Sequence, residues 1–494
     1  MASVVVSRSV RAVVLLAAAL ATVWSGVTFE PAAAFAYGTQ DVAGTLNGEP
    51  VTLGEVDVAL DGAIHASWVR ADIIMREATR AVCADYAIVR IAAEAGLDVA
   101  AWRARKWAEA RPSATAVRAH ARALARSGVP RPGRQHMAHL LHVRAYRRSV
   151  AEATDRLLEG DYTLALPPPP ARFEQEPELP SVVAQCLGHI VTGPEVYGFA
   201  AYRLYRQRTD MVTSICRQFD IDYSNPLVLH RMASARGLTV EALIREVERG
   251  QAGVSEAAVE EAARIRYGAV DETTRARARF SLTAERRVDA RVAFLEEVRA
   301  DTVGQCALAL PPAPMVTVRG VGPGGAPGGR LRVAYFGGFQ CRDCAEGWQA
   351  ADRLRDAWGD RIHVDVRHHF PAVAWPDFKV ALEAHCSAWA GRLWEYVAWR
   401  TRVPAVEASP VYALDLDPAA FEICMQDPTS AVAVIADADE ALRLGFREAV
   451  PSWVIGHRPW RSFQKDQVLN DSVQHELGTE AVASGDDPGA GAGL

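Results

Sequence analysis

With 494 residues, half of them apolar and 23% charged, and a formal net charge of −6, the chain has the balance of a folded, soluble protein of about three domains. Its cations are almost all arginine, Lys106, Lys379 and Lys465 being the only lysines, and they alternate with Glu and Asp along helical stretches. That is the pattern of a solvated face, so no nucleic-acid partner is expected.

At the N-terminus, Arg8 and Arg11 precede an apolar run from Ala12 to Trp24, and Ala34-Phe35-Ala36 offers a small-x-small cleavage site before Tyr37. Residues 1–36 therefore read as a secretory signal peptide. The alternative is an uncleaved anchor extending to Phe29, which is short for a bilayer span and contains Ser25 and Gly26. No later stretch is apolar for long enough to cross a membrane. The mature chain is expected to be periplasmic or secreted, where disulfides persist, and membrane-anchored only if the first segment is retained.

Proline and glycine mark the joints. Leu166-Pro167-Pro168-Pro169-Pro170 closes one segment and Leu310-Pro311-Pro312-Ala313-Pro314 another, and each ends one copy of an internal repeat. The first copy, 37–170, opens with Leu46-Asn47-Gly48-Glu49-Pro50-Val51-Thr52 and Glu55-Val56. The second, 181–314, opens with Leu187-Gly188-His189-Ile190-Val191-Thr192 and Glu195-Val196. Each passes through helical sequence to Gly96-Leu97 or Gly237-Leu238 and ends in Leu-Ala-Leu-Pro, at 164–167 and 308–311. Short strands at the two ends of a module are expected to pair with each other, its helices packing around that ribbon. Thr239 and Ser255 are N-cap residues, so the second copy should hold at least four helices, the last from about Ala284 to Ala300.

The opening of the module, an Asn-Gly turn and a Val-Thr-x-x-Glu-Val step into a helix, resembles the helical chaperone domain of SurA and PrsA, the parvulin-type periplasmic foldases. The resemblance implies a cradle for unfolded chains; a spacer that positions the next domain or mediates dimerisation is the alternative. Neither copy has room for a parvulin domain of about 90 residues, so prolyl isomerase activity is not expected.

Residues 315–330, glycine-rich from Gly320, link the repeats to a C-terminal unit. There an apolar run from Leu331 to Phe336 leads to Cys341-Arg342-Asp343-Cys344, and Val450-Pro451 precedes a second apolar run from Trp453 to Ile455. A Cys-x-x-Cys that opens a helix after a strand puts the first sulfur at the positive end of the helix dipole, which favours thiolate. The second cysteine lies one turn on, within reach of a disulfide. Proline between a β-branched residue and a strand suits a cis peptide in a tight turn beside the dithiol. The alternatives are half of a zinc site and an inert structural disulfide. A zinc site lacks its second ligand pair, since His385-Cys386 is the only nearby one and sits in an amphipathic run. Arg342 favours a thiolate at Cys341 while Asp343 opposes it, so the reduction potential is left open.

Phe339-Gln340-Cys341, Arg367-His368-His369-Phe370-Pro371, Cys386 with Trp394-Glu395-Tyr396, and Val450-Pro451-Ser452-Trp453 resemble motifs of the DsbA-like branch of the thioredoxin superfamily. The resemblance covers 331–478 and implies an α/β thioredoxin fold with a helical insertion between about Pro376 and Phe446. Helix starts at Asp417-Pro418 and Asp427-Pro428 agree, as do Leu382, Cys386, Trp389 and Leu393, at helical periodicity with only Gly391 as a breaker. It further implies Cys341 as nucleophile, Cys344 as resolving thiol and Pro451 shaping a substrate groove lined by Phe339, Val450 and Trp453, with no metal or organic cofactor. The chain departs from the pattern at Tyr335, where relatives carry an acidic residue, and at Gly337-Gly338, which replaces a Ser-Asp pair. Residues 479–494 are expected to be a disordered tail.

Cys186 and Cys306, near the opening and closing strands of the second copy, are expected to pair. Cys386 and Cys424 fall in the insertion, where some DsbA-like relatives carry a second disulfide. Cys83 and Cys216 do not occupy equivalent repeat positions and are either buried free thiols or a bridge between the copies. A structural role is expected for at least one of His368 and His369.

The expected whole is a mainly α front end of two modules followed by the thioredoxin fold. Its function is that of an exported thiol-disulfide oxidoreductase acting on unfolded or cysteine-containing proteins with a redox partner. A holdase or scaffold with a vestigial dithiol, and a partner-specific reductase or isomerase, are the other readings. Trp68, Trp102, Trp107, Tyr202 and Tyr205 are candidates for a client surface or for the core. The Gly320–Arg330 stretch is expected to carry few contacts, so that the repeats fold alone.

Overall fold

The structure is a computed structural model that describes residues 38–126, 133–168, 180–220, 226–250, 253–311, 313–320, 330–339, 341, 343–369, 375–403, 408–446, 451–461 and 464–484. The expected signal peptide lies outside these residues, and among them no helix is long and apolar enough to cross a membrane.

The sequence repeat is a structural repeat. In the first copy β1 (Val42–Leu46) turns at Asn47-Gly48, both at positive φ, into β2 (Glu49–Thr52). Thr52 and Glu55 then form a capping box that starts α1 (Leu53–Ala59). The chain continues through α2 (Ala63–Glu94), α3 (Val99–Glu109), α4 (Ala114–Arg126) and α5 (Arg134–Leu158) to β3 (Tyr162–Leu164). In the second copy β4 (Val182–Cys186) turns at Leu187-Gly188 into β5 (His189–Thr192), and a Thr192–Glu195 capping box starts α6 (Gly193–Cys216). Four more helices follow, α7 (Pro226–Ala235), α8 (Val240–Gly250), α9 (Glu256–Tyr267) and α10 (Glu272–Ala300), and then β6 (Gly304–Cys306). Helix α10 begins twelve residues before the expected Ala284, at a capping box of Asp271 and Thr274. Its polar, arginine-rich first half carries little apolar periodicity to reveal it.

The strands do not pair within each copy as expected; they are exchanged. β1 bonds to β2 and to β6, with Leu46 opposite Gly304 and Gly44 opposite Cys306. β4 bonds to β5 and to β3, with Cys186 opposite Tyr162. The cause is helix length. A 32-residue α2 spans about 48 Å, and its first turns pack in the core of the β1 sheet through Ile64 and Trp68 while its later turns pack in the core of the β4 sheet through Met75, Ala78 and Val82. α6 makes the return journey, from Val196 and Ala200 to Val212 and Ile215. Each copy therefore ends beside the other copy's opening hairpin.

That exchange also decides the disulfides. Cys186 and Cys306 lie in different sheets and do not pair; the bonds are Cys83–Cys186 and Cys216–Cys306, each tying a long helix to a sheet strand. Cys83 and Cys216 are thus neither free nor joined to each other. Closing loops of 103 and 90 residues, each bond stabilises the fold by about 4–5 kcal/mol on the chain-entropy account.

The C-terminal unit comprises β7 (Leu331–Gly337), α11 (Cys344–Trp358), β8 (Ile362–His368), five helices, β9 (Ser452–Ile455), β10 (Arg458–Arg461) and a last helix. The five are α12 (Trp375–Trp389), α13 (Leu393–Arg400), α14 (Pro410–Ala413), α15 (Pro418–Gln426) and α16 (Pro428–Arg443); the last, α17, spans Asp466–Ser484. Sheet order is β10-β9-β7-β8, parallel only between β7 and β8, which α11 connects. Asp417 and Asp427 cap α15 and α16 ahead of their prolines, and Gly391, at φ +73°, separates α12 from α13. Trp389, expected on the apolar face, is instead 75% exposed at the end of α12. Cys386 and Cys424 form a disulfide that joins α12 to α15. α17 runs to Ser484, six residues past Gly478, and 485–494 lie outside the described residues.

The front end is packed against this unit; of the Gly320–Arg330 stretch expected to carry few contacts, 321–329 lie outside the described residues. Trp107, Val143 and Tyr146 share a core with Phe378, Leu382, Val432 and Ile435 of the insertion. Val316 and Val318 of the linker, with Ala201 and Tyr202 of α6, share another with Ala334, Phe336 and Val454 of the sheet. Trp68, Trp102, Trp107 and Tyr202 are all buried and Tyr205 is half-buried, so they form core rather than a client surface.

In the first of these seams His139 is buried beside Phe378, ring centres 4.2 Å apart. Burial pushes its pKa down to about 3, with neighbouring His142 and His136 adding to the effect. An unfolded chain binds a proton there below about pH 6.5, whereas the folded chain does not until about pH 3. Stability therefore falls as pH drops through that window. His139→Leu should move the acid-unfolding midpoint, followed by tryptophan fluorescence, to lower pH. The shift will be partial, because buried His368 is depressed in the same way; an unmoved midpoint would remove His139 from the account.

Candidate functional site

The dithiol sits where β7 hands over to α11. From Leu331 to Phe336 every residue except Arg332 is fully buried, so the strand is fixed on both faces. Trp348 Nε1 donates to Gly338 O at 2.7 Å, pinning the connecting loop to the helix it precedes. Phe339 is half-buried, stacked on Trp348 at 4.6 Å and edge-on to Tyr396 at 5.6 Å. Cys341 and Cys344 are joined, Cα atoms 5.2 Å apart, and Cys344 N donates to Cys341 O at 3.3 Å. Cys344 is the first residue of α11 and has no exposed surface, whereas Cys341 is only half-buried. Asp343, at the N-cap, makes no side-chain cap bond. The outer sulfur therefore faces a helix N-terminus, whose partial positive charge stabilises a thiolate, and the inner one is shielded.

Beneath the pair lies Tyr335. Its side chain is fully buried, 4.8 Å from the Trp348 ring and 4.5 Å from the Trp453 ring, and its hydroxyl donates to Cys344 O at 3.4 Å. Burial raises its pKa well above the usual phenol value, so it is a neutral donor at the floor of the site. This ring explains the glycine at 337. A Cβ there would lie 2.3 Å from the Tyr335 hydroxyl, and one at Gly347 would lie 2.7 Å from it.

Pro451 is buried, and its Cγ would lie 2.9 Å from a Cβ at Gly347, so the ring sits over the first turn of α11. Val450, Gln340 and Arg342 lie outside the described residues. Trp453, expected to line the groove, does not: it has no exposed surface and belongs to the sheet core. It sits opposite Tyr335 in the β7–β9 ladder, and its side chain faces the same buried layer. His369 N donates to Gly337 O at 3.1 Å, and its Nε2 donates to Phe446 O at 2.6 Å. His368 is buried and neutral, with its pKa pushed down to about 3 and neither ring nitrogen hydrogen-bonded. Arg367 Nη1 donates to Asp437 at 2.8 Å and its Nε to Asp365 at 3.1 Å, an ion network on the sheet's other face. Among the described residues no group of three or more His, Cys, Asp or Glu could hold a metal ion.

Reading the sequence missed Trp348, Gly347 and Phe446 as parts of the site, whereas a structural role was expected for at least one of His368 and His369 and His369 has one. For two of them a signal existed: Gly347 and Trp348 fall three and four residues after Cys344, the spacing that puts them on its face of a helix.

No family model matches the chain, and no curated protein matches it. Among solved structures, the chain is similar to a thioredoxin-like oxidoreductase from Silicibacter pomeroyi (20% identity, TM-score 0.28, covering 32% of this chain and 92% of that one). It is also similar to the thiol-disulfide exchange protein alpha-DsbA2 from Wolbachia pipientis (15%, 0.27, 32% and 87%), and to the catalytic domain of Proteus mirabilis ScsC (16%, 0.24, 32% and 89%). What the C-terminal unit itself shows is a four-stranded sheet flanked by helices and carrying a disulfide-bonded Cys-x-x-Cys. The functional reading rests on the dithiol itself.

The packing around Gly347 can be tested by substitution. Gly347→Ala gains about 1 kcal/mol of helix propensity but must displace Tyr335 and Pro451, for a net cost of about 1–2 kcal/mol in urea unfolding of the oxidised protein. Tyr335→Phe, which removes the crowded hydroxyl, should recover part of that loss in the double variant. Additive effects would mean the hydroxyl and Gly347 do not meet.

Proposed function

We propose that the protein is an exported thiol-disulfide oxidoreductase acting on cysteine-containing, unfolded proteins through Cys341 and Cys344. The observation that carries this reading is the asymmetry of the dithiol, an accessible sulfur at a helix N-terminus bonded to a fully buried one. In the oxidising direction a substrate thiolate attacks the Cys341 sulfur, and the S–S electron pair leaves on Cys344, which takes up a proton. A second substrate thiolate then attacks the substrate sulfur of the mixed disulfide and releases Cys341 as a thiolate. Two electrons have passed to the dithiol, and a redox partner must remove them. In the reducing direction Cys341 attacks a substrate disulfide, Cys344 resolves the mixed disulfide, and the partner is a reductant. Pro451, packed near Gly347, and Phe339, stacked on Trp348, shape the groove for the substrate backbone. Export is supported by the pairing of all eight cysteines, two of the bonds closing loops of 103 and 90 residues, because such bonds persist only in oxidising compartments such as the periplasm or outside the cell.

A client-holding role for the front end is a second reading, the one its SurA-like opening suggests. Phe280, Ile265 and Tyr267 on α9 and α10, 79%, 72% and 41% exposed, support it. The full chain with both redox cysteines changed to serine should then suppress aggregation of a cysteine-free client, and Phe280→Asp should weaken that effect. No suppression would leave the front end as a spacer.

In the reduced protein only Cys341 should react with an alkylating reagent at mildly acidic pH; equal labelling of Cys344 would contradict the assigned roles. Cys341→Ser should abolish turnover of a dithiol peptide, and Cys344→Ser should accumulate mixed disulfides. The reduction potential decides the direction. A value near −270 mV, as in thioredoxin, means reduction, and one near about −120 mV, as in DsbA, means oxidation.

A further inference from the structure

Where the front end meets the insertion, three helices face one another across a gap they do not fill. On α2 residues 77, 81, 84 and 88 recur at helical spacing, on α5 residues 146, 150 and 154, and on α16 residues 432, 435, 436 and 439; all line one cavity of about 510 Å³. Interiors are normally packed without voids much larger than a water molecule. Here space is left because Ala81, Ala84, Ala151 and Ala436 stand where the helices converge. The wall is apolar, with Ile88, Val432 and Ile435 almost wholly buried. The charges around it do not cancel locally. Arg80 pairs with Asp155 and Arg147 with Asp439, while Glu77 is taken by Arg203, which does not line the cavity. Half-buried Arg103 of α3 is left with neither hydrogen bond nor ion pair among the described residues. Tyr146 lines the same space with 5% of its surface exposed, and its hydroxyl also makes no hydrogen bond among the described residues. Burial pushes its pKa up to about 12 while Arg103 pulls the other way, so the phenol is a neutral donor with a guanidinium in its vicinity.

We propose that this cavity binds an amphiphile with a carboxylate head on an apolar chain, the head accepting from Arg103 and the Tyr146 hydroxyl and the chain lying against Ile88, Val432 and Ile435. Both unpaired groups are donors, so the ligand must bring an acceptor, and the guanidinium charge selects an anion over a neutral group. The apolar wall in turn favours a ligand with an apolar body over a small polar ion, and the volume lies in the range of small-molecule sites. A buried hydroxyl without a partner is costly, and the ligand relieves that cost. The walls come from two parts of the chain, α2, α3 and α5 from the front end and α16 from the insertion. A bound molecule therefore bridges them and stabilises their docking by mass action. The dithiol plays no part in this site.

The test is isothermal titration of the full-length oxidised protein with decanoate, and with decylammonium, decanol and acetate as controls, each below the concentration at which it forms micelles. Decanoate should bind saturably at one site. Decylammonium should bind at least about tenfold more weakly, because it brings a donor and the wrong charge, and acetate should give no measurable binding. Arg103→Gln should raise the decanoate Kd about tenfold and Tyr146→Phe about fivefold, each removing one hydrogen bond to a charged group. Arg103→Gln should leave the weaker binding of decanol unchanged. Ala436→Leu, which fills the cavity from α16, should weaken decanoate and decanol alike; if that variant does not fold, Arg103→Gln, at a half-buried position, decides the matter alone. No saturable binding of decanoate to the wild type, equal affinity for decylammonium, or an unchanged Kd in folded Arg103→Gln would overturn the proposal.

Discussion

The double-sided burial of β7 is the constraint on which the rest of the C-terminal unit depends. Val333 and Tyr335 point into one apolar layer, with Trp348, Tyr396 and Trp453, and Ala334 and Phe336 into the other. A strand apolar on both faces is stable only when both are covered. The helices α11, α12, α13 and α17 cover the first layer. The second is closed by the end of α16, by Val316 and Val318 of the linker, and by α6 from the second repeat. The front end is therefore bound to the C-terminal unit by the requirement to keep this face dry, and the dithiol, which β7 positions, inherits that dependence.

Charge reinforces the same junction. Arg443 is nearly buried, donates to Glu440 at 2.7 Å and to Phe199 O of α6 at 3.2 Å, and lies over the Phe199 ring. Arg319 of the linker bonds Glu440 and also Asp85 of α2, so both long front-end helices are reached from one buried carboxylate. Breaking such a network at one partner leaves a buried charge uncompensated, which costs about 3–5 kcal/mol. Its geometric consequence matters as much: the segment that ends at Phe446 has little freedom to drift.

At the dithiol, Tyr335 sets what the floor of the site can do. A carboxylate there could exchange a proton with a buried thiol, whereas a phenol whose pKa burial holds well above the usual value stays protonated and acts as a fixed donor to Cys344 O. The Tyr335 ring also sets its surroundings, because it occupies the space that side chains at 337 and 347 would need.

What the residues determined by themselves is local. The Asn47-Gly48 turn, the Thr52 and Thr192 capping boxes, the Asp-Pro starts of α15 and α16 and the dithiol at the head of α11 each follow from a few neighbouring side chains. The repeat was legible for the same reason, since both copies carry the same local signals. Only the tertiary structure decided which strand pairs with which, that Cys83 bonds Cys186 and Cys216 bonds Cys306, that Trp453 turns into the core, and that Tyr202 covers Phe446. Those outcomes depend on where two long helices deliver the ends of the chain. A helix's start can be read where a capping residue marks it, but the direction in which it leaves a sheet is set by packing with residues a hundred positions away.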